Sequence, residues 1–283
     1  MKHFTPQTIS ELFTALKEMT PQSKFISGGT DLLIRLNQGT CTPDALVYLG
    51  HIPQMHEILS TAEGLEIGCM VTMTQLAESE LLVGPWAAIK HAAEDVGARQ
   101  IRNSATVGGN LGNLSPAGDL MPVWFLLDAR VEVMQPDGKT RRMSVQDVFL
   151  GPGKSSLAYN EVMTRFFVPH PTSSTQKSAF VKLGSRKTLT ISRVGLAASI
   201  DFDDSAEVSS FQLTVGAISP TPVSVEKAET YLIGKKLCPT TVEQIGQFLS
   251  ELIMEITPEH FDRDYKAAAA FGVTEDLLKK LMP

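Results

Sequence analysis

Two glycine pairs stand where a chain can bring bare backbone N–H groups against a phosphate. Gly28-Gly29 follows Lys24-Phe25-Ile26-Ser27 and precedes Thr30-Asp31. Gly108-Gly109 follows Ala105-Thr106-Val107 and precedes Asn110. Each pair comes after a short apolar run that reads as a buried strand, and each is followed by small polar residues. Glycine tolerates positive φ and has no Cβ to hold a ligand away. Successive N–H groups then form an anion-binding concavity. Two such bends meeting in space would grip one pyrophosphate from both sides; taken singly, each reads as an ordinary tight turn. Asp119 closes the small-residue loop Leu114-Ser115-Pro116-Ala117-Gly118. Its carboxylate suits the hydroxyls of a sugar-like chain, or else caps a helix starting at Leu120. Asp31 has the same second role as a helix cap, and Asn110 and Asn113 as turn formers.

Other motifs fail on inspection. Gly153-Lys154-Ser155 matches the end of a Walker A loop, but Val148 stands where its first glycine belongs. Gly151-x-Gly153 opens like a dinucleotide fingerprint, yet Ser156 holds the third position. No His-x-x-x-His pair and no Gly-x-Ser-x-Gly elbow occurs. The cysteines Cys41, Cys69 and Cys238 lie far apart, and read as three buried free thiols. An iron–sulfur cluster needs four thiolates at tight spacing, so this chain alone holds none. No catalytic acid–base pair and no metal-ligand set is assigned.

The totals bound the rest. The chain has 283 residues, enough for two or three domains, with 43% hydrophobic and 20% charged residues. Its net charge of −6, without a basic block, argues against nucleic acid. No apolar run reaches the ~18 residues that span a bilayer. The start, Met1-Lys2-His3-Phe4-Thr5-Pro6, lacks a signal-peptide core, so a cytoplasmic location is expected.

The elements that must position the two bends follow from periodicity. Ile9, Leu12, Phe13 and Leu16 predict a helix over 8–19, stopped by Pro21. Strands are expected at 24–27 and 45–49 with a short helix over 31–37 between them, a small βαβ-type unit. Ala62-Glu63-Gly64 and Pro136-Asp137-Gly138 predict hairpins. Helices are expected near 73–80, 86–96 and 120–127, and a strand over 161–168. Pro169 to Thr175 is rich in breakers and reads as a boundary. Beyond it come three strands (178–184, 193–202, 207–218) and three helices (223–233, 241–256, 261–281). The fold class is α+β.

These segments together resemble the flavin subunit of the molybdenum hydroxylases, the xanthine dehydrogenase and carbon monoxide dehydrogenase family. Lys24 to Asp31 resembles that family's first FAD loop, and Gln100 to Leu111 its second. Asn113 to Asp119, Gly151 to Lys154, Phe180 to Lys187 and Ser219-Pro220-Thr221-Pro222 continue the match in order. The resemblance covers essentially the whole chain. It departs at Gly112, where many relatives have Cys, and at Phe261 to Lys266, which fits the family's Arg-Ala-Ser-x-x-Tyr-Arg pattern only loosely.

The resemblance implies a vanillyl-alcohol-oxidase/PCMH-type FAD-binding fold. Two α+β subdomains, 1–50 and 51–172, would clasp the cofactor. A C-terminal α+β domain, 173–283, would cover it with a three-stranded antiparallel sheet and helices. Lys24, Phe25, Ile26, Ser27, Gly28, Gly29, Thr30 and Asp31, with Thr106, Val107, Gly108, Gly109 and Asn110, would bind the pyrophosphate and ribose, largely through N–H groups. Asp119 would take ribityl or ribose hydroxyls, and Lys182 would lie near the isoalloxazine ring. Val96 and Met163 would line the cofactor. The expected function is electron transfer from the [2Fe–2S] clusters of a small subunit, through FAD, to NAD+ or another acceptor. A large subunit would carry the molybdenum cofactor, in a heterotrimer. A free-standing diaphorase or oxidase and a non-catalytic nucleotide-binding scaffold are the alternatives.

Overall fold

Phe25-Ile26 and Ala45-Leu46-Val47 are short apolar runs, and they pair as parallel strands. The computed structural model describes residues 1–186 and 189–282. In it, strand Ala45–Tyr48 lies between Lys2–Phe4 and Lys24–Ile26, parallel to both. Parallel neighbours need a crossover: helix Leu32–Asn37 lies in the one from Lys24–Ile26 to Ala45–Tyr48, and helix Ile9–Glu18 links the two outer strands. The Thr8 side chain accepts from the Glu11 N–H to cap this helix, and Leu12, Ala15 and Leu16 are its buried face. They pack with Val47, Leu49, Ile52 and Met55.

Both expected hairpins form. They join one five-stranded antiparallel sheet, in the order Ile58–Thr61, Gly64–Gly68, Val162–Pro169, Arg130–Met134, Thr140–Ser144. The central strand Val162–Pro169 alternates buried and half-buried residues, the period-two pattern of a sheet with unlike faces. Glu161 anchors its start, accepting from the Arg141 guanidinium, Gln135 Nε2 and the Ala158 N–H. Gly151-Pro152-Gly153, which opens like a dinucleotide fingerprint, is only the turn of a small ribbon joining Phe149–Gly151 to Lys154–Ser155. The three cysteines are free thiols, but only Cys69 is buried; Cys41 and Cys238 are half-buried.

The second glycine pair departs from expectation. No strand precedes it. Thr106 makes one isolated bridge with Thr72 and then caps helix Val107–Gly112. The threonine side chain accepts from the Gly109 N–H, which turns the chain into a helix at once.

Two compact units are present, and they interleave along the chain. Met1–Gln75, Ala98–Ser115 and Asp128–His170 form one; Leu76–Gly97, Pro116–Leu127 and Pro171–Pro283 form the other. The second is built on an antiparallel sheet in the order Lys177–Leu183, Val194–Phe202, Val208–Gly216, Val223–Ser224. The expected sheet had three strands and a helix from residue 223. A fourth, two-residue strand forms instead, and the helix starts later, as Glu226–Leu232. Pro220 and Pro222 hold the residues before them extended, and β-branched Val223 continues in that conformation.

Helices Pro239–Ile256 and Arg263–Leu281 contribute Ile245, Leu249, Ile253, Leu277 and Leu281 to the core of this unit. Helix Leu120–Leu126 joins it from earlier in the chain. Gly195 and Gly216 are register partners, and a Cβ on Gly216 would meet Pro122 Cδ at 3.1 Å. This cross-strand glycine pair is a trough for the proline ring. Helix Ala87–Asp95 also packs on strand Lys177–Leu183, where Ser178 Oγ accepts from the Ala88 N–H.

The Arg141 bond holds the Glu161 carboxyl down to about 2. A folded value below the ordinary one stabilises above that ordinary value, and the contribution is lost as pH falls through the folded value. Glu161→Gln should therefore lower stability by about 1–3 kcal/mol at neutral pH. In urea unfolding, the gap to the parent should close between about pH 5 and about pH 2.

Candidate functional site

The two bends meet. A Cβ on Gly28 would lie 1.7 Å from the Ser104 carbonyl oxygen and 3.1 Å from the Ala105 nitrogen. One on Gly109 would lie 3.7 Å from Ser27 Cβ. The reason for glycine differs from the one expected at three of the four positions. Of the four, only Gly29 has positive φ, +71°. Gly28 is needed because another backbone passes where its side chain would be. Gly108 is needed because a Cβ would come within 2.7 Å of Cys69 Cβ and 3.0 Å of its carbonyl oxygen.

The donors are not shared equally either. Among the described residues, the N–H groups of Gly28, Gly29, Thr30 and Asp31 donate to no backbone carbonyl. This stretch runs from half-buried to exposed, ahead of helix Leu32–Asn37. Asp31 precedes that helix without making a side-chain cap. In the second stretch the N–H groups from Val107 to Asn110 are engaged. Val107 donates to Val71, Gly108 to Cys69, Gly109 to Thr106 Oγ1 and Asn110 to the Thr106 carbonyl. The expectation that both stretches present bare N–H groups therefore holds for the first alone. The second stretch offers one side chain: Asn110 Oδ1 is buried without a hydrogen-bond partner among the described residues. A buried acceptor left so is costly, and a ligand donor would satisfy it. Met163 lies beside this helix, its Cε 3.7 Å from where a Cβ on Gly112 would stand.

Asp119, Lys182 and Val96 fall in the other unit, where the first two form a buried pair. Lys182 Nζ lies 2.7 Å from Asp119 Oδ2, with side chains 8% and 9% exposed. The same ammonium donates to the Asp95 carbonyl at 2.6 Å, which places it next to Val96, and to the Thr190 carbonyl at 3.3 Å. Ser192 Oγ donates to Asp119 Oδ1. Burial pushes the Asp119 carboxyl up, against the pull of Lys182 and Ser192. Asp119 precedes helix Leu120–Leu126 but makes no capping bond, which removes that alternative. An ammonium has three donors, and all three of Lys182 are engaged. What it offers a ligand is charge. Asp119 keeps lone pairs for a hydroxyl.

Sequence reasoning missed Ser192, Thr190 and the Asp95 carbonyl. They belong to no motif, and nothing in their spacing ties them to Asp119. Lys187, quoted in the resemblance, lies outside the described residues.

Residues 1–171 match the family described as the FAD binding domain in molybdopterin dehydrogenase, and residues 179–281 match the CO dehydrogenase flavoprotein C-terminal domain. The chain belongs to this flavoprotein family. The nicotinate dehydrogenase FAD-subunit of Eubacterium barkeri is 30% identical over 285 residues, covering 99% of this chain and 95% of that relative. A putative xanthine dehydrogenase FAD-binding subunit of Escherichia coli K12 is 30% identical, over 89% of this chain and 84% of its own length. A carbon monoxide dehydrogenase structure from Hydrogenophaga pseudoflava superposes with a TM-score of 0.85 at 25% identity, over 99% of this chain and 96% of that one. The flavoprotein is thus an oxidoreductase subunit that binds FAD in the α+β fold expected. Its own residues fit that cofactor: free N–H groups around a left-handed glycine suit a diphosphate, and the orphaned Asn110 amide suits a polar neighbour.

Gly28→Ala should lower the unfolding midpoint and remove bound FAD, because the Ser104 carbonyl has nowhere to go. Gly272→Ala is the contrast. It lies in helix Arg263–Leu281 with open space around it, so it should keep FAD and gain about 0.5–1 kcal/mol. Equal flavin content in both variants would remove the first bend from the site. Asp119→Ala strands the buried Lys182 charge and should cost about 3–5 kcal/mol. Asp119→Leu combined with Lys182→Met should recover most of that loss in a double-mutant cycle by denaturation.

Proposed function

We propose that this flavoprotein is the electron-transferring subunit of a molybdenum hydroxylase. It takes electrons from [2Fe–2S] clusters on a small partner subunit and passes them to NAD+ or another acceptor. The observation that carries the reading is the first glycine bend, held open against Ser104 with its N–H groups free.

In this reading Lys24 to Asp31 seat the diphosphate, with Gly28 to Asp31 donating. Thr106 to Asn110 form the facing wall, and Asn110 takes a cofactor donor. Asp119 accepts a sugar hydroxyl. Val96 and Met163 line the cofactor, and Lys182 places positive charge near the flavin ring. Bound FAD accepts electrons one at a time and delivers a hydride, which suits a junction between iron–sulfur centres and a nicotinamide. This chain's residues bind, orient and tune; they transfer no proton. The three-part division into 1–50, 51–172 and 173–283 belongs to the same reading.

The partners are a large subunit with the molybdenum cofactor and a small one with [2Fe–2S] clusters. Relatives named as a medium subunit or medium chain, in nicotine 6-hydroxylase and carbon monoxide dehydrogenase, support an assembly of several chains. The complex is placed in the cytoplasm in this reading. No helix among the described residues is long and apolar enough to cross a membrane.

The purified chain should show visible flavin absorbance and release FAD, not FMN, on denaturation. Expressed with its chromosomal neighbours, it should copurify with a molybdenum subunit and an iron–sulfur subunit. A colourless chain would overturn the cofactor assignment to this site. A yellow monomer that reduces dyes with NADH and binds neither partner would overturn the assembly.

A further inference from the structure

We propose that Ser192 is a positioning residue for the Asp119–Lys182 pair, and that through this pair it sets how strongly the site favours reduced over oxidised flavin. The proposal rests on the placement of Lys182 near the flavin ring given above. Its own ground is the geometry at Asp119. One carboxylate oxygen receives the Ser192 hydroxyl and the other the Lys182 ammonium at 2.7 Å. Ser192 is itself 7% exposed, so water does not replace it. A carboxylate held at both oxygens cannot rotate. Without the hydroxyl, both oxygens are free to turn onto the ammonium and draw its charge toward themselves.

The surrounding backbone makes the hydroxyl a fixed point. Strands Lys177–Leu183 and Val194–Phe202 are antiparallel, and the Arg193 N–H donates to the Leu183 carbonyl at 2.8 Å, closing the register beside Ser192. The Thr190 carbonyl, two residues before Ser192, takes another Lys182 hydrogen. Ser192 thus ties both the carboxylate and this carbonyl to one segment. With every ammonium hydrogen engaged, Lys182 acts on a neighbour through the position of its charge. A fixed cation beside a ring that gains negative charge stabilises the reduced form more than the oxidised form.

The test measures the flavin midpoint potential in the full FAD-loaded chain by dye-equilibrated reduction, together with FAD content. Ser192→Ala should keep one FAD per chain and lose about tenfold in preference for reduced flavin, a fall of about 30 mV for a two-electron couple. Ser192→Thr, which restores the hydroxyl, should return the parent value. An unchanged potential in Ser192→Ala, with Lys182→Met shifted, would overturn the role of Ser192 and leave the site reading standing. An unchanged potential in both, with FAD still bound, would overturn the Lys182 placement and the proposal with it. If Ser192→Ala loses FAD or fails to fold, Ser192→Cys, with its weak S–H donor, decides. The same fall supports the proposal, and the parent potential overturns it.

Discussion

The Ser104 carbonyl oxygen fills the space where residue 28 would carry a side chain, and much of the first unit follows from that approach. The segment ending strand Lys24–Ile26 must run against the one leading into helix Val107–Gly112. The approach is held from the far side. Val107 and Gly108 donate to Val71 and Cys69, and Met73 donates to Ala105. These bonds hold the second segment in place and leave the N–H groups of Val107 and Gly108 no capacity for a ligand. The first segment then needs no protein acceptor for Gly28 to Asp31, and its left-handed glycine turns the N–H groups into a concavity. Two similar-looking motifs thus differ: one spends its N–H groups from 107 to 110 inside the protein, and the other keeps those of 28 to 31 free of backbone acceptors.

The second unit concentrates its electrostatics at Asp119 and Lys182. Taking both charges out of water is expensive, and a hydrophobic pair of similar volume is often as stable. The local structure compensates by satisfying every hydrogen of the ammonium and both carboxylate oxygens. A pair so fully bonded is stiff, and its direction is set by residues contributed from 95, 190 and 192. A solvated lysine on a strand would be screened and mobile; this one is neither. In the placement proposed for it beside the flavin, an immobile charge needs no reorganisation when the flavin charge changes.

Much of the secondary structure was legible. Helix Ile9–Glu18 announced itself by apolar spacing and the proline that stops it. The hairpins around Gly64 and Gly138 announced themselves by glycines that take positive φ. The strand expected before Gly108 was not there, because Ala105-Thr106-Val107 has the composition of a strand while Thr106 has the side chain of a helix cap. Local composition does not say which wins; the bonds to Val71 and Cys69 do. The short strand Val223–Ser224 escaped notice because two residues carry no period. The interleaving of 76–97 and 116–127 with 171–283 escaped for another reason. It is written in the Gly195–Gly216 trough and its fit to Pro122, a match between distant residues that no local pattern contains.

By itself the sequence determined the α+β class, the places of the two glycine pairs, and membership of an FAD-binding family, because these depend on residue type and order along the chain. Tertiary structure alone decided which glycine pair keeps its donors free, and that Asp119 faces Lys182 and Ser192 rather than capping a helix. Each N–H and each carboxylate oxygen forms few bonds. Which partner claims them depends on what the fold brings within about 3 Å, a distance that linear order does not encode.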